Sequence, residues 1–261
     1  GQEEPIGQPV DAGSTIEDTS SGPFDEGSDP GTSVTDPGQP AVDEGQEEDE
    51  GPAVEDEGPV IPPTPCDLNE GLMGHWPLDD GAGNSAAEST GNSQNGTLSG
   101  SPPWVPGKVG TGVEFNGQFN KMIVLNSPTI NVESELSYSM WVAPYSDAEM
   151  MGLALKGNGG SSWMLVAKPG PTGLKVAFGS PNCGGLQVLV EGNTSLPLGA
   201  WTHILVNWVQ NTNQVELYIN GELDVAGTLN CALVSNVSPL FVGEFEGQNF
   251  WGIVDEIRLY N

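Results

Sequence analysis

Basic residues are scarce in this chain of 261 residues, which carries 36 acidic residues against six Lys and Arg. The net charge of −30 argues against nucleic-acid binding, because phosphate neutralisation needs clustered Lys and Arg, and it equally disfavours anionic membrane surfaces. No window of 18 apolar residues occurs, so no segment is predicted to span a membrane. The two histidines, His75 and His203, lie 128 residues apart and offer little for a zinc site or a Ser-His catalytic system.

Cysteine is also rare, and the count of three leaves one residue without a partner. Cys183 and Cys231 each lie in a predicted loop, "SPNCGG" and "TLNCAL", whereas Cys66 stands beside an acidic segment. We expect a Cys183–Cys231 disulfide, which an extracytoplasmic setting permits. The alternative joins Cys66 to one of the two loop cysteines.

Residues 1–65 lack Lys, Arg, His and, apart from Phe24, aromatic residues. They hold 18 of the acidic residues and 11 of the 22 prolines, in repeats such as "DEGQEEDEGPAVEDEGP". Such a segment cannot bury enough apolar surface to offset its ordering entropy, so we predict a disordered acidic linker. Because the chain starts at Gly1 rather than Met, we expect a processed product, secreted or lipid-anchored through a segment upstream of Gly1.

Residues 66–261 form the predicted folded domain, with 17 of the 18 aromatic residues. Short alternating segments such as "LSYSMWV", "LKVAFG", "WTHILVNWVQ" and "QVELYINGEL" are separated by Gly, Asn, Pro and Ser clusters. No segment keeps a 3.6-residue period over ten residues. This pattern predicts an all-β domain, a two-sheet antiparallel β-sandwich.

One hairpin is predicted in register, with Trp208 opposite Val215 and Ile204 opposite Ile219 across the Asn211-Thr212 turn. The face that carries these residues is the expected core. The opposite face mixes polar and aromatic side chains that suit sugar hydroxyls and ring faces. The expected ligand-binding residues are His203, Asn207, Glu216, Tyr218 and Asn220 on this face, with Trp163 of "GNGGSSWML" as a second stacking surface at a loop edge. The alternative is an ordinary solvated sheet face on which Tyr218 packs against Leu205.

The segments "GLMGHWPLDDGAGN", "VPGKVGTGVEFNG", "LSYSMWVAP", "LPLGAWTHILVNW" and "IVDEIRLYN" occur in the order and spacing of a known family. Over residues 70–261 the chain resembles the laminin-G-like, concanavalin A-like jelly-roll domains. The resemblance implies that Gly81 and Gly83 serve turns between strands. It thus opposes a dinucleotide-binding interpretation of Gly81, Gly83 and Ala86, which also lack the helix that this motif requires.

The same fold supports glycoside hydrolases that carry E-x-D-x-E or E-x-D-x-x-E on one strand. The predicted folded domain has a single E-x-D, at Glu222 and Asp224, and the third acid is missing. We therefore predict that the protein is not an enzyme.

A structural Ca²⁺ is the expected cofactor. Strict alternation places Asp255 on the face of Ile253, Ile257 and Leu259, and a carboxylate with core orientation needs a partner. The resemblance implies that Asp255 of the closing strand binds the ion with help from early strands, at Leu78, Asp79, Asn116 and Gly117. The alternative is that Asp255 accepts backbone hydrogen bonds at a strand end.

Together these features predict a non-catalytic extracellular binding or adhesion module, displayed at a cell surface on an acidic spacer. Its expected partner is a glycan or a surface protein. A structural surface or matrix protein and an atypical glycoside hydrolase are the alternatives.

Overall fold

The computed structural model describes residues 67–131, 134–157, 162–183 and 189–261. The predicted linker, residues 1–65, lies outside the described residues, so it and the boundary at Cys66 stay predictions. The described strands, in chain order, are β1 (Leu72–Trp76), β2 (Ser85–Ala86), β3 (Gly96–Ser99), β4 (Trp104–Pro106), β5 (Thr111–Asn116), β6 (Lys121–Val124), β7 (Glu135–Pro144), β8 (Met151–Lys156), β9 (Trp163–Gly170), β10 (Gly173–Gly179), β11 (Leu189–Leu196), β12 (Thr202–Val209), β13 (Gln214–Ile219), β14 (Glu222–Thr228), β15 (Leu240–Val242), β16 (Glu244–Phe245), β17 (Gln248–Asn249) and β18 (Trp251–Tyr260).

The strands form two antiparallel sheets, as predicted. The first sheet has the order β14-β13-β12-β7-β18-β5-β4, with β1 also paired to β18. The second has the order β11-β10-β9-β8-β15-β6-β3-β2, and β16 and β17 form a separate ribbon. The helical structure in the described ranges consists of two short 3₁₀ turns, Pro128–Ile130 and Pro181–Cys183. No helix found there has the length and apolar character needed to cross a membrane.

The hairpin of β12 and β13 has the predicted register. Ile204 lies opposite Ile219 and Trp208 opposite Val215. All four side chains are buried in the main apolar cluster, to which both sheets contribute. The alternation with a period of two in the sequence therefore predicts the core face correctly. The opposite face of this sheet, which mixes polar and aromatic side chains, stays accessible.

The glycine cluster after β1 forms turns, as predicted from the resemblance. Gly81 and Gly83 have φ values of +69° and +81°, a backbone region that favours glycine. A Cβ atom at either position would meet nothing within 4 Å, so the turn conformation rather than crowding calls for glycine. The next regular element is the two-residue strand β2.

A β-bulge in β18 corrects the predicted orientation of Asp255. Val254 points into the core, and the register shifts between Asp255 and Arg258, where Glu256 has a φ of +51°. The extra residue resets the alternation, so Ile257 points into the core again. Asp255 instead pairs with Trp141 of β7 and therefore shares the outer face of the first sheet. The loop that contains Lys108 and Val109 donates hydrogen bonds to this carboxylate and buries it there.

Candidate functional site

A groove of about 540 Å³ crosses the outer face of the first sheet. We call it the outer-face groove. The central strand β7 contributes two small side chains, Ser137 and Ser139, to its lining. By register, Asn207 and Tyr260 flank Ser137, while Leu205 and Arg258 flank Ser139. Small residues between two rows of larger ones make the depression, because all these side chains leave the same face of the sheet.

His203, which lines the outer-face groove, packs against a tryptophan that lies beside the lining. The His203 ring lies 5.1 Å from the Trp141 ring at an interplanar angle of 52°. The Lys108 ammonium lies 4.4 Å from the centre of the Trp141 ring, within cation–π distance. Burial, together with the positive charge of Arg258, lowers the pKa of His203, so this imidazole is neutral at pH 7. A neutral imidazole offers one donor and one acceptor to a polar ligand.

The positive charge of Arg258, which lines the groove, is balanced by the carboxylate of Glu256. The Glu256 carboxylate is buried, and the same oxygen, Oε2, accepts hydrogen bonds from the Arg258 guanidinium and from His75 Nε2. Asp67, Glu70 and Glu135 also line the groove. The outer-face groove therefore carries more acidic than basic charge, which favours uncharged ligands over anions.

The structure brings two of the six predicted ligand-binding residues, His203 and Asn207, into this groove. Glu216 and Tyr218 lie next to it on β13, and the Tyr218 hydroxyl donates to Glu216 Oε2 at 2.9 Å. Tyr218 is opposite Leu205, as the alternative interpretation requires. Asn220 is in the turn after β13, where its Oδ1 accepts the backbone N–H of His203 at 3.0 Å.

Trp163 is not at a loop edge, which corrects the expectation of an exposed ring. It begins β9 and is completely buried in the core. Its ring centre lies 5.2 Å from that of Tyr138 and 6.2 Å from that of Phe178. The glycines and serines that precede it suggested a loop, but the tryptophan itself packs between the sheets and offers no surface for stacking.

The five predicted calcium ligands do not form one oxygen cage in the described structure. Leu78 and Asp79 lie near Thr111, whose hydroxyl donates to Leu78 O at 2.7 Å and whose N–H donates to Asp79 Oδ1 at 2.8 Å. Asn116 is the last residue of β5 and Gly117 follows it, at the other end of this strand, and Asn116 Oδ1 accepts three backbone N–H groups. Leu78 O, Asp79 Oδ1 and Asn116 Oδ1 thus already accept hydrogen bonds.

Asp255 is satisfied by backbone groups. Its Oδ2 accepts the N–H groups of Lys108 and Val109 at 2.7 and 2.9 Å, and its Oδ1 accepts that of Glu256 at 2.8 Å. Among the described residues, no group of three His, Cys, Asp or Glu side chains is suitably placed for a metal ion. The residues present do not fit a calcium cage, and calcium binding stays a prediction.

An oxygen cage that suits a cation does exist elsewhere, and a lysine fills it. The Lys156 ammonium is buried and donates to Asn126 Oδ1 at 2.8 Å, Ser238 O at 2.5 Å and Asn236 O at 3.2 Å. Burial lowers the pKa of Lys156 to about 8. Carbonyl oxygens of the kind that bind hard cations here accept hydrogen bonds from the Lys156 ammonium instead.

The E-x-D pair, Glu222 and Asp224, lies in β14, where Asp224 has a structural role. The Asp224 carboxylate accepts the N–H groups of Asn193 and Thr194 at 2.8 and 2.9 Å and so ties β14 to β11. Glu222 is exposed at the start of β14. Acid/base work on a glycosidic bond requires two carboxylates that face a substrate, whereas Asp224 faces backbone donors.

A Ser-His-Glu chain, which the sequence analysis missed, joins β1 to the following loop. Ser89 Oγ lies 2.9 Å from His75 Nδ1, and His75 Nε2 lies 3.0 Å from Glu256 Oε2. The backbone N–H groups of residues 89–93 all donate within this region, to His75 O, the Glu88 carboxylate or Thr90 Oγ1. None of these five groups is thus available to stabilise an oxyanion, which acyl transfer requires.

The carboxylate of Glu88 holds this loop in place through several hydrogen bonds, so its replacement is expected to lower the stability of the fold. Its carboxylate accepts the N–H groups of His75, Thr90 and Gly91 at 2.8–2.9 Å. Although burial alone would raise the pKa of Glu88, hydrogen bonds from His75, Thr90 and Ser93 lower it below the ordinary 4.5. We expect Glu88→Gln to lower the unfolding free energy by about 2 kcal/mol at pH 7, because charge-assisted bonds to backbone donors are lost.

The pH dependence of this effect follows from the direction of the pKa shift. A lowered pKa stabilises the folded state above pH 4.5, and this contribution is lost as the pH falls through the folded-state value. Urea unfolding at several pH values checks it, with Glu222→Gln on exposed β14 as the control. Equal stabilities of Glu88→Gln and wild type at pH 7 would contradict the role given to Glu88.

Comparisons with known proteins agree with this architecture. The family model described as the concanavalin A-like lectin/glucanases superfamily, of laminin-G type, matches residues 115–261. Domain 4 of AbnA, a GH43 extracellular arabinanase from Geobacillus stearothermophilus solved with arabinotriose, is 24% identical with a TM-score of 0.57. That match covers 73% of this chain and 92% of the other. A search of curated proteins finds no match.

Two further solved structures share the fold as well. One is a botulinum neurotoxin type C structure, described with the dependence of cell entry on two ganglioside molecules. It is 13% identical with a TM-score of 0.56, and the match covers 74% of this chain and 48% of that chain. Trypanosoma rangeli sialidase in complex with sialic acid is 14% identical, with 73% of this chain and 31% of the sialidase covered and a TM-score of 0.54. Because the family model spans more than half of the sequence and the two-sheet fold agrees with it, this chain belongs to the concanavalin A-like lectin/glucanase superfamily.

Proposed function

We propose that the protein is a non-catalytic carbohydrate-binding module that works outside the cell, with the outer-face groove as its binding site. The observation that carries the proposal is the groove itself. Its lining combines the His203 ring, against which Trp141 packs, with Asn207, the two serines of β7 and the phenol-bearing Tyr260. Ring faces and closely spaced donors and acceptors are what a sugar ring requires of its site.

Three further features support this proposal. The domain is similar in fold to proteins whose structures were solved with arabinotriose or sialic acid. The Cys183–Cys231 disulfide fits an oxidising, extracellular setting. The hydrogen bonds of Asp224 to backbone N–H groups leave the E-x-D pair without the geometry of a glycosidase.

A glycan array probed with the full chain tests the proposal. We expect binding to uncharged oligosaccharides, and we expect the His203→Ala/Asn207→Ala variant to bind about tenfold more weakly, because two hydrogen-bonding groups of the groove are removed. Gln214→Ala, exposed on the same face of β13 but outside the groove, is the matched control. Binding that is unchanged in the double variant would place the site elsewhere, and the absence of binding to every array glycan would contradict the proposed function.

A further inference from the structure

A second cavity, of about 430 Å³, lies at the edge of the sandwich where β18 begins. We call it the rim cavity. Trp251 lines it and is 47% exposed, whereas each of the other six tryptophans is buried or half-buried. An exposed indole in a cavity is unusual for a residue that gains so much from burial, and it suggests a surface kept for a ligand.

The Trp251 side chain is held in place rather than loose at the surface. The Tyr145 ring stands edge-on to it, with ring centres 6.5 Å apart, and the Tyr145 N–H donates to Trp251 O at 2.9 Å. Below it, Gly117 has a φ of +71°, and a Cβ atom there would lie 2.8 Å from the Trp251 Cβ. Only glycine allows this approach, so the backbone itself supports the tryptophan.

A second part of the rim cavity's lining is also fixed. It is the tight turn between β16 and β17, in which Glu246 and Gly247 have positive φ values. Asn249 Nδ2 donates to Gln118 O at 2.6 Å and to Gly247 O at 3.0 Å, which joins this turn to the loop after β5. A cavity with two anchored walls loses little conformational entropy when a ligand enters.

The polar groups in the rim cavity are amides, a hydroxyl and one carboxylate. Gln118, Gln248, Ser146 and Glu149 line it, and its lining contains no Lys, Arg or His. An anionic ligand would therefore find no cation to pair with, in a domain whose own net charge is negative. Uncharged hydroxyls can use the amide donors and the carboxylate acceptor together.

From this geometry we infer that the rim cavity is a second saccharide-binding site, specific for uncharged sugars, with the ring of Trp251 as its stacking surface. The inference deepens the proposed function, on which it rests, but the site is separate from the outer-face groove. The nearest groove residue, His203, lies opposite Trp141, which in turn pairs with Asp255, four residues from Trp251 on β18 and roughly 13 Å along the strand at about 3.3 Å per residue. The two cavities share no lining residue, so we expect two binding sites per chain.

Acrylamide quenching of tryptophan fluorescence tests the inference, because it reports on the exposed indole. The full chain is titrated with arabinotriose and maltotriose as uncharged probes and with sialyllactose as the anionic counterpart. We expect a neutral probe to protect Trp251 from quenching and sialyllactose to give no protection. We also expect Trp251→Ala to lose one of the two binding sites for the neutral probe in calorimetry, and Trp251→Phe to recover that site because a ring is restored.

The controls separate the two sites. Leu223→Ala removes an equally exposed apolar side chain far along the first sheet and should change nothing. Loss of all binding in His203→Ala/Asn207→Ala with full binding in Trp251→Ala would overturn this inference and leave the proposed function standing. Loss of all binding in Trp251→Ala, with full binding in His203→Ala/Asn207→Ala, supports the rim cavity and overturns the outer-face groove as a binding site. Sialyllactose protection equal to that of the neutral probes, or no binding of any probe to the wild-type chain, overturns the inference as well.

Discussion

Asp255→Ala is expected to lower the unfolding free energy by about 3 kcal/mol at pH 7, because buried backbone N–H groups lose their acceptor. The side chain has no solvent exposure, and it holds the Lys108–Val109 loop against β18 through two hydrogen bonds. Asp255→Asn keeps one acceptor oxygen and should cost less. Chemical denaturation measures both variants, with Asp147→Ala in an exposed loop as the control.

The size of this effect should depend on pH. Burial raises the pKa of Asp255 to about 6, although the N–H groups of Val109, Lys108 and Glu256 partly oppose the shift. The folded-state pKa is thus above the ordinary value of 3.8, so the contribution of this carboxyl is complete below about pH 4 and is lost as the pH rises through 6. The destabilisation by Asp255→Ala is therefore expected to be larger at pH 4 than at pH 7, by as much as about 3 kcal/mol.

The same variant decides between the two interpretations of Asp255. If backbone hydrogen bonds are its role, a chelator leaves the wild-type melting temperature unchanged and Asp255→Ala lowers it with or without chelator. If the carboxylate binds Ca²⁺, chelation of metal-loaded protein lowers the wild-type melting temperature and has no effect on Asp255→Ala. Saturating Ca²⁺ at a hundred times the Kd would contribute about 2.7 kcal/mol, which the experiment resolves easily.

The sequence predicts the sandwich and the β12–β13 hairpin because both follow from local pattern. Alternation over Ile204–Trp208 and Val215–Ile219 specifies which face is buried, and the polar turn between them sets the register. The Cys183–Cys231 bridge is also confirmed. The hairpin can be predicted from residues that are neighbours in the sequence, and the disulfide from only three cysteines. Neither prediction requires much information about the tertiary structure.

The outer-face groove and the true orientation of Asp255 need the tertiary structure. Arg258 and Tyr260 flank Ser137 and Ser139 only because β18 lies next to β7 in the first sheet, a neighbour relation between distant segments. Alternation in "LSYSMWV" and "EIRLY" marks these side chains as outward, but it does not say that they meet. The bulge at Glu256 is equally hidden, because a left-handed backbone at a glutamate has no sequence signal.

At pH 7, removal of the disulfide is expected to destabilise the domain most. Cys183 follows β10 of the second sheet and Cys231 follows β14 of the first, with Cα atoms 5.3 Å apart. The bridge therefore ties the two sheets together and closes a loop of 48 residues, which corresponds to about 4 kcal/mol in the chain-entropy model. Cys183→Ala/Cys231→Ala should lower the melting temperature by roughly 10 °C.

Reduction of the wild-type protein provides an independent route to the same state. A reducing agent should bring the wild-type melting temperature down to that of the double variant and should leave the double variant unchanged. Cys66→Ala controls for the third cysteine and should behave as wild type, with the same response to reduction, because the bridge joins the other two. A wild-type melting temperature that does not respond to complete reduction, shown by thiol titration of all three cysteines, would mean that packing of the two sheets alone holds this end of the sandwich closed.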